Sequence, residues 1–287
     1  MSSEASPAPG PRLRARWYGR SVVGCVRKNN EDSLAAGALD AASDDAAARP
    51  EDGVVHGAAD LSRPGALLAV ADGMGGANAG EVASQMAVTI LSEEMLARIA
   101  KDQPDAGDAA TTMLVRVVEH ANERIRDAGG GDPELRGMGT TLTTMWLQDG
   151  HGQFAHVGDS RGYLFRKGRL SRLTKDQSLV EKLLEDKIIS PDEAETMGGR
   201  NIILQALGSD EDLDVAHPHT DVEAGDTLLL CTDGLTTVVT DPEIEEALRQ
   251  GGDLEAICDR LVHAAEQKGG PDNITVLLCT LDAEHKG

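Results

Sequence analysis

Carboxylates stand in this chain at places where an isolated negative charge is costly. Three apolar stretches run directly into an aspartate beside a glycine: residues 67–71 before Asp72-Gly73, 154–157 before Gly158-Asp159, and 228–232 before Asp233-Gly234. A fourth aspartate, Asp272, immediately precedes the apolar run 273–281. Short apolar runs closed by glycine read as buried strands, and a residue at such a strand's end projects into the cleft that the sheet edge borders. A carboxylate at a buried edge needs a cation to neutralise it. Asp and Glu oxygens suit hard octahedral ions such as Mg²⁺ or Mn²⁺, so the pattern predicts an oxygen-ligand metal centre. Arg27, four residues before Glu31, adds a guanidinium, the group that grips a phosphate dianion through paired hydrogen bonds. Taken singly, Asp72-Gly73, Asp233-Gly234 and Asn30-Glu31-Asp32 are ordinary turn or cap sequences. Their repetition at the edges of apolar segments, from Glu31 to Asp272, is what points to a convergent site.

The elements that must position these groups follow from periodicity and turn chemistry. Residues 1–13 form a Pro/Ser/Gly tail without periodicity and are expected to be disordered, leaving one domain over 14–283. Residues 38–64, rich in Ala, Asp, Gly and Pro, read as a surface insertion with no assigned fold. Helical spacing is expected over 81–100 and again over 108–127, where Gly129-Gly130-Gly131 should stop the second helix. Strands are expected at 140–147, 153–157, 163–166 and 169–173, the last two joined by a Lys167-Gly168 turn. Residues 176–212 turn polar and helical, with Ser190-Pro191 a good helix start. Strands near 214–217 and 227–231, helices near 242–249 and 254–267, and a strand at 274–281 complete the chain. Helix pairs alternating with runs of strands predict an α+β fold, with helices covering mainly antiparallel sheets.

Composition narrows the function classes. The chain has 287 residues, long enough for one large α/β domain, and a formal net charge of −22 that works against nucleic-acid binding. Two each of Trp, Tyr and Phe leave the core to Ala, Val, Leu and Ile. No apolar run approaches the ~18 residues of a membrane span, and the N-terminus lacks a signal-peptide core, so a cytoplasmic protein with no membrane partner is expected. The four cysteines show no CxxC spacing, and Cys231, Cys258 and Cys279 sit in apolar segments, as free thiols of a reducing compartment do.

Six short stretches carry the chemistry: RKNNEDS from Arg27, ADGMGG from Ala71, GMGTTL from Gly137, VGDSRGY from Val157, CTDGL from Cys231 and GPDNITV from Gly270. In this order they resemble the metal-dependent (type 2C) serine/threonine protein phosphatases, particularly stand-alone bacterial members, and the resemblance covers roughly residues 15–282. It implies a β-sandwich of two mainly antiparallel sheets flanked by helix pairs, a four-layer αββα fold with the metal centre at one end. It also implies hydrolysis of phosphoserine and phosphothreonine in proteins, a partner serine/threonine kinase among the substrates, by a hydroxide that bridges two Mn²⁺ or Mg²⁺ ions. By motif, Asp72 resembles the bridging carboxylate and Gly73 a carbonyl ligand, while Asp233 and Asp272 resemble ligands of the first metal. Glu31 is similar to the residue that reaches the second metal through water, and Asp32 to the one that orients metal-bound water. Asp159, with Asp233, matches a weaker third site, and Arg27 matches the phosphate-binding arginine.

Three features depart from that pattern. Met74 stands where some eukaryotic members carry histidine, so protonation of the leaving group would fall to metal-bound water. The mobile segment near the active site corresponds to about 174–208, where Leu204-Gln205 replaces a more usual apolar residue and arginine. The segment 38–64 exceeds the usual connection.

Other readings compete with this one. Gly158-Asp159-Ser160-Arg161-Gly162 fits G-x-S-x-G, with Asp233 and His263 following in the order of an α/β-hydrolase serine esterase. That reading requires a helix after Ser160, whereas 163–170 reads as strand, turn, strand. A catalytically inactive phosphoprotein-binding module of the same fold is the second alternative, opposed by the intact carboxylate set. His217-Pro218-His219 has the spacing of a metal pair but no third ligand nearby, and His156, inside an apolar strand, reads as a hydrogen-bonded core residue.

Overall fold

The computed structural model describes residues 12–40, 53–75, 79–197, 202–209 and 212–284. Two wholly antiparallel sheets stack face to face. The first has the order β3 (Val54–Asp60), β1 (Leu13–Val22), β12 (Ile274–Ala283), β11 (Thr227–Cys231), β8 (Arg161–Arg166), β9 (Arg169–Arg172). The second runs β10 (His219–Asp221), β7 (His151–Val157), β6 (Leu142–Gln148), β4 (Ala66–Met74), β2 (Asp32–Ala38), and the two-residue β5 (Gly139–Thr140) adds to the end of β4. Helices α1 (Ala79–Ile99) and α2 (Asp108–Gly131) cover the second sheet. Helices α6 (Asp241–Arg249) and α7 (Leu254–Gln267) cover the first, giving four layers. Short helices α3 (Leu179–Glu185) and α4 (Pro191–Thr196) lie in the segment between β9 and β10, and α5 (Asp233–Thr236) follows β11 directly.

Alternation along the strands explains the layering. On β4, Leu67, Ala69 and Ala71 face the α1–α2 layer, while Leu68 and Val70 face the opposing sheet. On β11, Leu228 and Leu230 enter the space between the sheets, and Leu229 and Cys231 pack under α6 and α7. The scarcity of rings is met by small side chains: Ala79, Ala83 and Ala87 bring α1 close to the sheet, with Trp146, Phe154 and Tyr163 as the largest fully buried groups.

Four sequence expectations need correction. Part of the segment 38–64 is structured: β3 pairs with β1 along the edge of the first sheet, while residues 41–52 lie outside the described residues. The tail ends sooner than expected, because Leu13 already pairs with Ala283; residues 1–11 lie outside the described residues. Helix α2 continues through Gly129, Gly130 and Gly131 to Asp132, whose amide still bonds to the Ala128 carbonyl. Each glycine costs a helix about 0.5–1 kcal/mol without forbidding it, and Ala128 just before them packs on the core. Residues 214–217 form no strand; Ala216 makes an isolated bridge to His156, and β10 begins at His219.

Candidate metal and phosphate centre

The carboxylates gather where the two sheets end together. Asp32 opens β2 and sits directly across from Asp72 near the end of β4, their Cα atoms paired in register. Asp233 begins α5 two residues beyond the end of β11, and Asp272 lies two residues before β12, the neighbouring strand. Asp159 occupies the turn from β7 to β8. Strand ends of both sheets thus deliver five carboxylates to one edge, and Glu31 and Arg27 reach it from the loop between β1 and β2.

Close backbone contact makes the convergence possible. A Cβ on Gly73 would lie 2.1 Å from the Gly80 carbonyl oxygen and 2.6 Å from that of Glu31, so glycine lets β4, the start of α1 and the loop leading into β2 meet. A Cβ on Gly234 would meet the Asn273 carbonyl at 1.8 Å, which ties α5 to the start of β12 in the same way.

Electrostatics mark this edge as a cation site. Burial pushes the Asp159 carboxyl up to about 7, and Asp233 adds to the rise. Burial also raises Asp32, although the Thr275 and Thr232 hydroxyls donate to its Oδ2 at 2.7 and 2.8 Å. Asp72 is raised well above the carboxylate range by burial and then by Asp32, Asp233, Asp159 and Asp272. Asp233 is raised by burial and Asp272, and a hydrogen bond with Asp72 partly offsets the rise. Asp32 Oδ1 and Asp159 Oδ1 are buried without a hydrogen-bond partner. Orphaned acceptors on buried carboxylates are the chemistry that a hard cation completes.

The fit to a metal pair is that of a donor set rather than a finished cage. Among the described residues no three His, Cys, Asp or Glu side chains stand ready around one point as a metal site. Asp272 Oδ2 accepts from the Arg27 guanidinium at 2.7 Å, and its Oδ1 accepts from the Asn273 amide at 2.9 Å. All five aspartates remain hard oxygen donors, and neither cysteine nor histidine is among them. His156 is a core residue as expected: Thr143 Oγ1 and the Lys175 carbonyl bond to its two ring nitrogens, and burial lowers it to about 4.

Arg27 is an exposed side chain facing the cluster. Its nearest carboxylate is Asp272; the sequence reading of Arg27 as a phosphate ligand leaves that pairing out. Beside Asp159 and Asp233, a cavity of about 330 Å³ opens under α3 and α4, lined also by Arg161, Asp176, Val180, Leu184 and Pro191. Ser190 caps α4 with a full capping box, as the Ser190-Pro191 start predicted.

The serine-esterase arrangement does not form. Ser160 is fully buried, its hydroxyl bonds to Thr141 Oγ1 at 2.8 Å, and strand β8, not a helix, follows it. His263 lies exposed on α7 and bonds to Gln267. Sequence reasoning missed Thr141, Thr232, Thr275 and Asn273, which hold the carboxylate-bearing backbone; all four lie within or beside the six stretches singled out above, the only signal available.

Comparison with known proteins gives one answer. A family model described as protein phosphatase 2C matches residues 51–279. The chain is 38% identical over 266 residues to the serine/threonine protein phosphatase PstP of Mycobacterium tuberculosis, covering 93% of this chain and 45% of that protein. It therefore spans less than half the length of that curated relative. It is 39% identical over 224 residues to the serine/threonine phosphatase stp of Listeria monocytogenes, covering 77% of this chain and 86% of the relative. Among solved structures, the crystal structure of M. tuberculosis PstP/Ppp matches with a TM-score of 0.76 at 37% identity, covering 95% of this chain and 100% of that one. The catalytic domain of PstP in complex with two manganese ions matches with a TM-score of 0.74 at 36% identity, covering 94% and 99%. Among the described residues no helix is long and apolar enough to cross a membrane.

Proposed function

This chain belongs to the protein phosphatase 2C family, and from that premise we propose that it hydrolyses phosphoserine and phosphothreonine in proteins. The observation that carries the reading is the meeting of Asp32, Asp72, Asp159, Asp233 and Asp272 at one edge of the sandwich, with buried oxygens left unpartnered and Arg27 alongside. Asp72, the Gly73 carbonyl, Asp233 and Asp272 would hold two Mn²⁺ or Mg²⁺ ions, with Glu31 and Asp32 contributing through water and Asp159 with Asp233 offering a third, weaker position. Those ions would supply Lewis acidity at the phosphoryl oxygens and a water acidic enough to act as nucleophile near neutral pH.

The chain's own residues do the rest. Arg27, anchored to a carboxylate of the site, presents N–H donors to phosphoryl oxygens and offsets charge that builds there. Thr232 and Thr275 both donate to Asp32 Oδ2, which fixes that carboxylate and leaves Oδ1 free to accept from a water. Thr141 receives the Asp72 amide at 2.9 Å and gives its own amide to the Asp72 carbonyl, locking the end of β4. The cavity beneath α3 and α4 adjoins Asp159 and Asp233 and has room for side chains flanking a phosphorylated residue.

Phosphorylated proteins, a serine/threonine kinase among them, are the proposed substrates. A cytoplasmic setting is favoured by four free cysteines, three of them buried. The test is hydrolysis of p-nitrophenyl phosphate and of a phosphothreonine peptide with Mn²⁺, with EDTA, and after a serine-directed fluorophosphonate. Activity that needs the metal, dies with EDTA and ignores the fluorophosphonate supports the reading. Activity that survives chelation and dies with the fluorophosphonate overturns it.

A further inference from the structure

The loop that carries Arg27 has little internal structure of its own. Residues 23–31 form a turn and bends between β1 and β2, and Arg27 projects from the middle of them. Besides bonds with Ser21, Gly73 and Ser84 near its ends, the loop is held by a segment far away in sequence, residues 270–273. Gly24, at φ +77°, lies so close to that segment that a Cβ would meet the Asp272 carbonyl at 2.1 Å. The Cys25 amide donates to the Gly270 carbonyl at 2.8 Å.

One side chain of that segment adds three further contacts. Asn273 Nδ2 donates to the carbonyls of Val23 and Asn29, each at 2.9 Å. Its Oδ1 accepts from the Glu31 amide at 2.9 Å. A single carboxamide therefore grips the start and the end of the loop at once, using both donors and the acceptor. Asn273 itself is 4% exposed, so its carboxamide is largely shielded from water. The same residue's backbone amide donates to Asp272 Oδ1, and Asp272 Oδ2 receives the Arg27 guanidinium. Loop, guanidinium and carboxylate are thus referenced to one another through Asn273.

We propose that Asn273 is a positioning residue for phosphate capture: its carboxamide clasps the 23–31 loop and so aims Arg27 at the phosphoryl group, without itself touching substrate. The proposal rests on the phosphatase reading for its consequence, since the aim of Arg27 matters only if Arg27 meets phosphate. Asparagine is required by this geometry. Leucine of similar shape would take away the donors to two carbonyls and the acceptor of one amide, and aspartate would present acceptors to two carbonyl oxygens.

Two measurements test the clasp, neither of them turnover. The first is amide hydrogen exchange in the metal-free protein. Asn273→Ala is expected to speed exchange at Glu31 and in the 23–31 loop while amides of β4 and β11 keep their protection. The second is calorimetric affinity for inorganic phosphate in the presence of Mn²⁺, for Arg27→Ala, Asn273→Ala and the double variant. Asn273→Ala is expected to weaken phosphate binding about tenfold, with little further loss when it is added to Arg27→Ala, because residues acting as one unit are not additive. Asn273→Ser keeps a hydroxyl too short to span both carbonyls. It is expected to give the same pattern at smaller amplitude, and it carries the test if the alanine variant does not fold. Fully additive losses, or unchanged phosphate affinity despite a loosened loop, overturn the proposal. If the wild type binds phosphate through Arg27 yet hydrolyses no phosphopeptide, the phosphatase reading fails while the clasp stands.

Discussion

At the scale of single residues, the structure separates groups that look alike in sequence. Asp72 and Asp233 are both raised and each feels the other carboxylates of the cluster, whereas Ser160 is spent on Thr141 and His263 faces solvent. Asp72→Asn is therefore expected to lower turnover at least about a thousandfold, the scale of losing a group that stabilises charge at the reacting centre. His263→Ala is expected to stay within about twofold of wild type, the range of surface substitutions that touch no special feature. Steady-state kinetics on a phosphothreonine peptide checks both, and a folded but inactive His263→Ala protein would sink the assignment. Arg27 is a finer case. A charge-assisted hydrogen bond to phosphate contributes about 1.5–3 kcal/mol, so Arg27→Ala is expected to reduce kcat/KM roughly ten- to a hundredfold. Its pairing with Asp272 is half-exposed, so removing it is expected to change Mn²⁺ affinity by less than about fivefold. Phosphate inhibition and Mn²⁺ titration on the same variant distinguish a phosphate grip from a metal effect.

At the scale of elements, the site depends on strand ends meeting turns that only particular residues allow. Gly158 precedes Asp159 at φ +104°, and a Cβ there would lie 2.6 Å from Thr141 Cγ2, the residue that locks Asp72. Gly158→Ala is expected to destabilise the protein by about 1–3 kcal/mol, read as a lower Tm by thermal unfolding; an unchanged Tm would mean the β7–β8 turn is not under this constraint. Asp159→Asn, one residue on, should do the opposite in metal-free protein, because it removes a buried carboxylate that burial already disfavours. The strand ends were legible because Asp72, Asp159, Asp233 and Asp272 each adjoin an apolar run, and burial of such runs dictates where their ends must lie. The support was not legible. Asp32 is held by Thr232 and Thr275, residues 200 and 243 positions away, and no local pattern encodes that pairing. Strand β3 was hidden for a related reason: its Val54–Asp60 sequence is rich in Ala and Gly, and it becomes a strand only because β1 offers an unpaired edge. Helix α2 overran three glycines because its packing against α1 outweighs local propensity.

At the scale of the whole molecule, five carboxylates at one edge of a chain with net charge −22 make the metal-free fold sensitive to pH. Asp159 rises to about 7, and Asp32, Asp72 and Asp233 are raised as well, so the folded state binds more protons than the unfolded chain above the ordinary carboxylate range. Stability then increases as pH falls towards that range and is lost as pH rises through about 7. Buried His156, lowered to about 4, acts in the opposite direction, but only once the unfolded imidazole begins to charge. Metal-free protein is therefore expected to melt higher at about pH 6 than at about pH 8, by some 3 °C or more for a gain of one or two kcal/mol. Saturating Mn²⁺ should raise Tm most at the higher pH, where the carboxylates are ionised. A metal-free Tm that climbs from the lower to the higher pH would contradict the buried cluster. The most direct test of the whole account is anomalous scattering at the manganese absorption edge from crystals grown with Mn²⁺. The account predicts at least two peaks at the sandwich edge, both next to Asp72 and one of them contacted by Asp233 or Asp272. Peaks confined to other surfaces, with none at the five carboxylates, would contradict it.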